Sequence, residues 1–297
     1  MRSMLILPLL ALTAAAPAAK PKTPAEIIAA APATAWKTIS AEDLLVMDLA
    51  NGSRVVIQLA PAFAPVHVAN IRGFARSGWW NGGKAAIYRV QDNYVVQWGR
   101  NETQDPVPAG VVNLPPAEYH RQLRGLSVRP LGFPDQYAPR AGHALGWPVA
   151  YDPKAGTANL THCYGYVGVA RDLSPDTGNG SELYAIIGHA PRALDRNIAV
   201  VGRIISGMEK MSAFPRGTEA LGIYKDRAQD IKIASVQMAT ELPAAQRPSF
   251  QYLDTQTATF DAYMRLRANR KDDFFIRPAG GIDLCSATVP IRATPAG

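Results

Sequence analysis

Residues 87–100 read Ile87-Tyr88-Arg89-Val90-Gln91-Asp92-Asn93-Tyr94-Val95-Val96-Gln97-Trp98-Gly99-Arg100, two runs rich in β-branched and aromatic residues around a Gln-Asp-Asn cluster. Asp and Asn accept the backbone angles of tight turns, so the stretch predicts two short antiparallel strands. Alternate side chains of a strand face the same way, which brings Arg89, Tyr94 and Gln97 to one surface once register is set. An arginine, an amide and an aromatic ring beside a short apolar edge suit a peptide-binding floor. The pattern equally suits an ordinary hairpin with a solvated arginine, and this stretch alone leaves both open.

Upstream, residues 44–49 and 55–59 flank Ala50-Asn51-Gly52-Ser53, where the Asn-Gly pair supplies the positive φ angles of a tight hairpin. Residues 65–77 predict a helix with Pro65 in its first turn, Arg72 and Arg76 toward its end and Gly78 as a stop. Its expected packing stripe is Val66, Ala69, Asn70, Gly73 and Phe74, placed to plug an open barrel end. Residues 164–170, 182–187, 198–205 and 231–238 read as further strands, with a helical turn at 208–211. Short, evenly spaced strands with few helices, in a chain holding 24 Gly and 24 Pro, predict a mainly all-β barrel or sandwich.

The chain opens Met1-Arg2-Ser3, an apolar run over 4–12 and then Ala14-Ala15-Ala16-Pro17-Ala18-Ala19. That order predicts a secretory signal peptide over residues 1–19, cut after Ala18 or Ala19. The run is short for a bilayer and no cysteine lies near the cut to take a lipid, so a periplasmic or secreted protein with no membrane span after cleavage is expected. Residues 20–40 are rich in Ala and Pro and read as a flexible mature N-terminus, with room for a helical turn over 25–31. The main unit then spans 41–240, interrupted by 101–161, where Pro and Gly are frequent and pattern is weak. So long a stretch is expected to be a semi-ordered insertion covering or extending the site, with Glu118-Tyr119-His120 its best candidate for order. An extension over 241–297 includes an amphipathic helix at 255–267 (Phe260, Tyr263, Met264, Leu266), expected to dock on the barrel.

Lys and Arg number 31 against 24 Asp and Glu, a formal +7 that becomes +6 once Arg2 leaves with the leader. The basic residues are scattered, which speaks against nucleic acid as a partner. Cys163 and Cys285 are the two cysteines. Export permits a bridge between them, which in the loop-entropy view contributes about 4–5 kcal/mol, yet Cys163 beside an apolar strand also suits a buried thiol. Asp176-Thr177-Gly178 follows Ser-Pro rather than an apolar strand and has no second copy, so no aspartic dyad is formed. The five histidines lack the spacing of a closed zinc site, Gly178–Gly180 lacks the lysine of a phosphate loop, and Ser181 lacks a nucleophile elbow.

Taken together, two blocks resemble the cyclophilin family of peptidyl-prolyl isomerases. In residues 55–100, Ala-Pro-Val-His-Val-Ala-Asn-Ile and then Tyr-Arg-Val-Gln-Asp-Asn-Tyr-Val-Val-Gln-Trp-Gly stand where the family has "AP…v.NF" and "FHRVI..F..QGG". In residues 164–211, Tyr-Gly-Tyr-Val-Gly-Val-Ala-Arg, Asn-Gly-Ser-Glu-Leu-Tyr, Leu-Asp and Ile-Ala-Val-Val-Gly-Arg-Ile-Ile-Ser-Gly-Met-Glu follow its "G..sMA", "NGSQFF" and "LDG.h.vFG.V..GM". The resemblance implies an eight-stranded antiparallel barrel capped by two helices, with an outer groove for an Xaa-Pro segment. It implies Arg89 as the catalytic arginine and Gln97 as the amide that holds the substrate carbonyl. Tyr94, Val95, Tyr184 and Leu194 would receive the proline ring, and Ala170, Arg171 and Glu182 would contact the residue before it. No nucleophile, metal or cofactor is called for.

Departures from the family pattern are Tyr88 for His, Tyr94 and Tyr184 for Phe, Glu182 for Gln within expected pairing reach of Arg89, and Ala193 and Ile198 for Trp and His. The resemblance implies an isomerase acting on proline-containing segments of exported proteins and assisting their folding. Its rival is a silent module that binds such segments, with insertion and tail as interface. Client identity and oligomeric state stay open.

Overall fold

The structure, a computed structural model, describes residues 22–100, 103 and 105–295; the expected leader lies outside them. Eight antiparallel strands close a barrel in the order Tyr166–Val169, Leu183–Ile186, Val95–Gly99, Ala86–Val90, Ile231–Met238, Leu44–Leu49, Arg54–Leu59 and Val200–Ser206. The last strand pairs with the first. They coincide with the eight stretches read as strands from the sequence. Inward positions place Leu45, Met47, Val55, Ile57, Ile87, Val96 and Trp98 in one buried cluster. Burying each such side chain contributes about 1.5–3 kcal/mol, which makes the pattern decisive for register. In the first hairpin only Gly52 takes a positive φ; Asn51 contributes its side chain, which accepts from Ser53 N.

The helix Pro65–Arg76 plugs the barrel, but only in part by the expected stripe. His67, Val68, Ile71, Phe74 and Ala75 are buried with Asn70, whereas Ala69 is exposed and Val66 and Gly73 are half-buried. Asn70 and Phe74 of the expected stripe are buried, Phe74 packing on Trp79 and Trp80 at 5.3 and 5.5 Å between ring centres, while the rest of the buried face is turned by about one residue. Glu118, in an irregular but ordered segment, accepts from the first-turn amides of Val66 and His67 and from His67 Nδ1. Burial raises the Glu118 pKa, and these bonds outweigh it and hold it below the ordinary range.

Three expectations about the remaining chain are corrected. Much of the insertion is not semi-ordered: Arg121–Gln122, Thr157–Leu160, Trp147–Asp152, Arg140–Ala144 and Arg129–Pro130 form, in that order, a five-stranded antiparallel sheet. Trp147, Val149 and Leu160 from this sheet pack on Phe63, Tyr166 and Val200 of the main unit. The region expected to be a flexible mature N-terminus carries a capped helix, Pro24–Ala29, close to the helical turn read there, and also an unforeseen strand, Trp36–Thr38. That strand pairs with Phe250–Leu253, which pairs with Ile291–Ala293, so the two ends of the described chain share a sheet. The extension helix, Ala258–Ala268, buries Phe260 and Tyr263 against Trp36, Leu253 and Val289 rather than on the barrel. Each piece is stable only through distant partners, which leaves no local period to read. Cys163 and Cys285 are bridged, tying the end of the insertion to the extension. Among the described residues no helix is long and apolar enough to cross a membrane.

Candidate active site

Arg89 and Gln97 face each other across the Ala86–Val90 and Val95–Gly99 strands, and Arg89 Nη1 donates to Gln97 Oε1 at 2.9 Å. The register slips between Ile87 and Arg89, so consecutive residues Tyr88 and Arg89 both reach Gln97. This bulge is why alternation missed Tyr88 as a site residue: strict period two sends neighbours to opposite faces.

Gln97 Nε2 donates to Tyr88 Oη, and Tyr88 Oη donates to Glu182 Oε2 at 2.8 Å. Donors therefore run in one direction, from Arg89 through Gln97 and Tyr88 to a carboxylate. That order fixes the Gln97 amide with its oxygen toward Arg89, an orientation assigned from the network. Burial, then the neighbouring Glu182 charge, pushes the Tyr88 phenol far up, so it stays protonated and keeps donating. Glu182 was expected to pair with Arg89. Among the described residues the hydrogen bonds of Arg89 go instead to Gln97, to Gln91 Oε1 and, from Nε at 2.7 Å, to Leu221 O.

Three of the five guanidinium N–H groups are thereby engaged, all on neutral oxygens. Half-burial lowers the Arg89 pKa, but a guanidinium stays charged throughout the working range. The charge is held in place without being neutralised by an acid at any of these three contacts.

Beside Arg89 lies a cavity of about 380 Å³ lined by Tyr94, Val95, Tyr184, Leu194, Ile198 and Ile223, with Gln97, Ala170 and Arg171 on its border. The structure thus brings eight of the predicted site residues around one pocket. Glu182, the ninth, lines an adjoining cavity of about 700 Å³ that shares Tyr88, Gln97, Ala170 and Arg171. Val95, Tyr184 and Ile186 make a small buried apolar cluster against which Tyr94, Ala170 and Ile198 pack. Arg171 is spent on backbone: it donates to Asn197 O and Asp172 O. Leu221 and Ile223 come from a loop that pairs with Arg89 across an isolated bridge, a contact 132 residues away that no local pattern announces.

The described residues contain no group of three or more His, Cys, Asp or Glu placed to hold a metal ion. The pocket therefore offers a fixed cation, an oriented amide and an apolar floor. Such a set suits a ligand with an apolar ring and hydrogen-bonding backbone.

Comparison with known proteins is consistent with this arrangement. A family model described as cyclophilin type peptidyl-prolyl cis-trans isomerase/CLD matches residues 44–238, the span of the barrel strands. Probable peptidyl-prolyl cis-trans isomerases of Brucella suis and Brucella melitensis are each 26% identical over 184 residues, 60% of this chain and 74% of theirs. The crystal structure of the cyclophilin AquaCyp293 from Hirschia baltica superposes with a TM-score of 0.68 at 20% identity, over 93% of this chain and all of that one. At that identity the likeness speaks for the fold, and its coverage takes in much of the insertion and extension as well as the barrel.

Proposed function

The chain belongs to the cyclophilin-type peptidyl-prolyl cis-trans isomerase family and is a peptidylprolyl isomerase; from that premise we propose that Arg89 stabilises the twisted imide nitrogen of a bound Xaa-Pro bond. The planar bond resists rotation because nitrogen shares its lone pair with the carbonyl, a barrier of about 18–20 kcal/mol that makes isomerisation take tens of seconds. Halfway through the turn that sharing is lost, and the nitrogen becomes a hydrogen-bond acceptor. A guanidinium N–H held beside it binds this state more strongly than the planar one, and that difference is rate enhancement. Each 1.36 kcal/mol of preference gives about tenfold.

In this reading Tyr94, Val95, Tyr184 and Leu194 hold the proline ring. The remaining Gln97 amide hydrogen holds the substrate carbonyl, and Ala170, Arg171 and Glu182 border the residue before proline. The observation that carries it is the Arg89–Gln97 pair at 2.9 Å beside a pocket of about 380 Å³ with Val95, Leu194, Ile198 and Ile223 among its walls. Arg89→Ala is expected to lose about 10²–10³ in kcat/KM on Xaa-Pro peptides, the scale of removing one preorganised transition-state donor. Loss of less than threefold would refute the role.

We further infer that the clients are exported proteins whose folding the enzyme assists in the periplasm or outside the cell. The leader pattern over residues 1–19 supports this, as does the Cys163–Cys285 bridge, a kind of bond that persists in oxidising compartments. Thiol alkylation of the cell-expressed protein tests it. Full labelling of both cysteines without reductant would count against export.

A further inference from the structure

Behind the proline pocket runs a line of buried polar groups that the isomerisation itself does not use. Asp135, from the insertion, takes Arg192 Nη1 and Nη2 on its two carboxylate oxygens at 2.9 and 3.0 Å. Arg192 Nε donates to Asp195 Oδ2. Asp195 Oδ1 accepts from His162 N and from His162 Nδ1, each at 2.9 Å. His162 Nε2 lies 3.0 Å from Tyr184 Oη, and the two rings are nearly parallel, 12° apart. The side chains of Asp135, Arg192, Asp195 and His162 are each at most 7% exposed. The tautomer that donates Nδ1–H to Asp195 presents Nε2 as acceptor for the Tyr184 hydroxyl, so each link has one donor and one acceptor.

This line meets the pocket at two places. Tyr184 is one of its walls, and Arg192 opens the short turn Arg192–Leu194 that carries another, Leu194. Gly168, opposite Tyr184 in the barrel, completes the seat: a Cβ there would come within 2.4 Å of the Tyr184 phenol. Tyr184 therefore stands where it does because Gly168 leaves room for its hydroxyl and His162 holds it. A buried hydroxyl left without a partner is costly, so the His162 bond favours this placement of the ring.

We propose that Asp135, Arg192, Asp195 and His162 are positioning residues for isomerisation, a buried chain through which the insertion sets Tyr184 and Leu194 as walls of the proline pocket. This deepens the function proposed above and rests on its assignment of the pocket. It gives the insertion a task, since Asp135, in the loop between Arg129–Pro130 and Arg140–Ala144, joins that sheet to the groove's framework. The chain holds two carboxylates for one guanidinium, so it depends on every link; charge-assisted bonds in a dry setting are strongly coupled.

The test uses the full chain with the bridge intact. Asp135→Asn keeps size and removes the charge. KM for an Xaa-Pro peptide is expected to rise roughly fivefold with kcat within about twofold, and combination with Tyr184→Phe is expected to be clearly less than multiplicative. A fall in melting temperature with unchanged KM, or strictly multiplicative effects, would overturn the proposal and leave a merely structural cluster. Should Asp135→Asn express poorly, the milder Asp135→Glu is read by the ring signal of Tyr184 in tyrosine-labelled protein, assigned by its disappearance in Tyr184→Phe. Displacement of that signal is expected, and a signal unmoved from wild type would overturn it. Arg89→Ala runs beside these variants. If it keeps wild-type turnover, the pocket assignment falls and this proposal with it; if it is inactive while Asp135→Asn behaves as wild type, only the positioning chain falls.

Discussion

Arg89 lines the pocket proposed to receive the proline ring, and Arg192 stands two residues from Leu194 in that pocket's wall. The groove gives Arg89 only neutral acceptors among its hydrogen bonds: a backbone carbonyl and two amide oxygens. The framework behind the wall gives Arg192 two carboxylates, Asp135 and Asp195. Burial works against the charge at both positions. At Arg89 it prevails and lowers the pKa; at Arg192 it is outweighed by the acids, and the pKa rises. The lesson is that one residue type serves two ends: a cation left unneutralised can act on a substrate, while one closed by acids builds the wall the substrate meets.

The contrast can be broken most severely at Arg192. Arg192→Met leaves Asp135 and Asp195 buried without their cation, and unfolding in urea is expected to show a loss of about 3–5 kcal/mol. A loss below 1 kcal/mol would mean the framework pair contributes little. Cys163→Ser with Cys285→Ser removes the tie between insertion and extension and is expected to lower stability by about 2–4 kcal/mol, with kcat within about twofold of wild type. A large change in kcat would show that the tie reaches the groove directly.

A third probe lies farther back, where His143 packs edge-on against Phe260 and its Nε2 donates to Ala287 O. Burial lowers its pKa from 6.5 to about 4, so the folded protein holds the ring neutral while the unfolded chain protonates it first. The stabilising contribution is full above pH 6.5 and is lost as pH falls toward 4, by about 2–3 kcal/mol. His143→Gln is expected to flatten that part of the stability profile, and an unchanged slope would rule His143 out as its cause.

The smallest effect is expected at Glu182. Glu182→Gln preserves an acceptor for Tyr88, so kcat/KM is expected to change by less than about threefold. A loss near 100-fold would show that the carboxylate's charge, and not only its hydrogen bond, serves the groove.

The same division separates what could be read from the chain in advance. The barrel strands are legible because each is a run of four to eight residues rich in β-branched, aromatic and other apolar side chains, and successive side chains of such a run point alternately to its two faces. Arg89 and Gln97 follow from that alternation and from the family motifs. Tyr88 does not, because its role depends on a bulge that no spacing reveals. Trp36–Thr38, Arg121–Gln122 and Arg129–Pro130 are too short to show any period and form only on distant partners. His162 looked like one of five scattered histidines, since Asp195 and Tyr184 lie 33 and 22 residues away. The expected Arg89–Glu182 pair failed for the same reason: charge complementarity suggested a partner, and the bulged Tyr88 took its place.

The central claim concerns when Arg89 acts, and exchange spectroscopy on an Xaa-Pro peptide saturating either wild type or Arg89→Ala addresses it most directly. Peptide affinity is expected to change by less than about threefold, while catalysed exchange in the bound state falls to the uncatalysed rate or within about tenfold of it. Retained exchange in the variant, or a loss accounted for wholly by weaker binding, would contradict a guanidinium that recognises the twisted bond rather than the planar one.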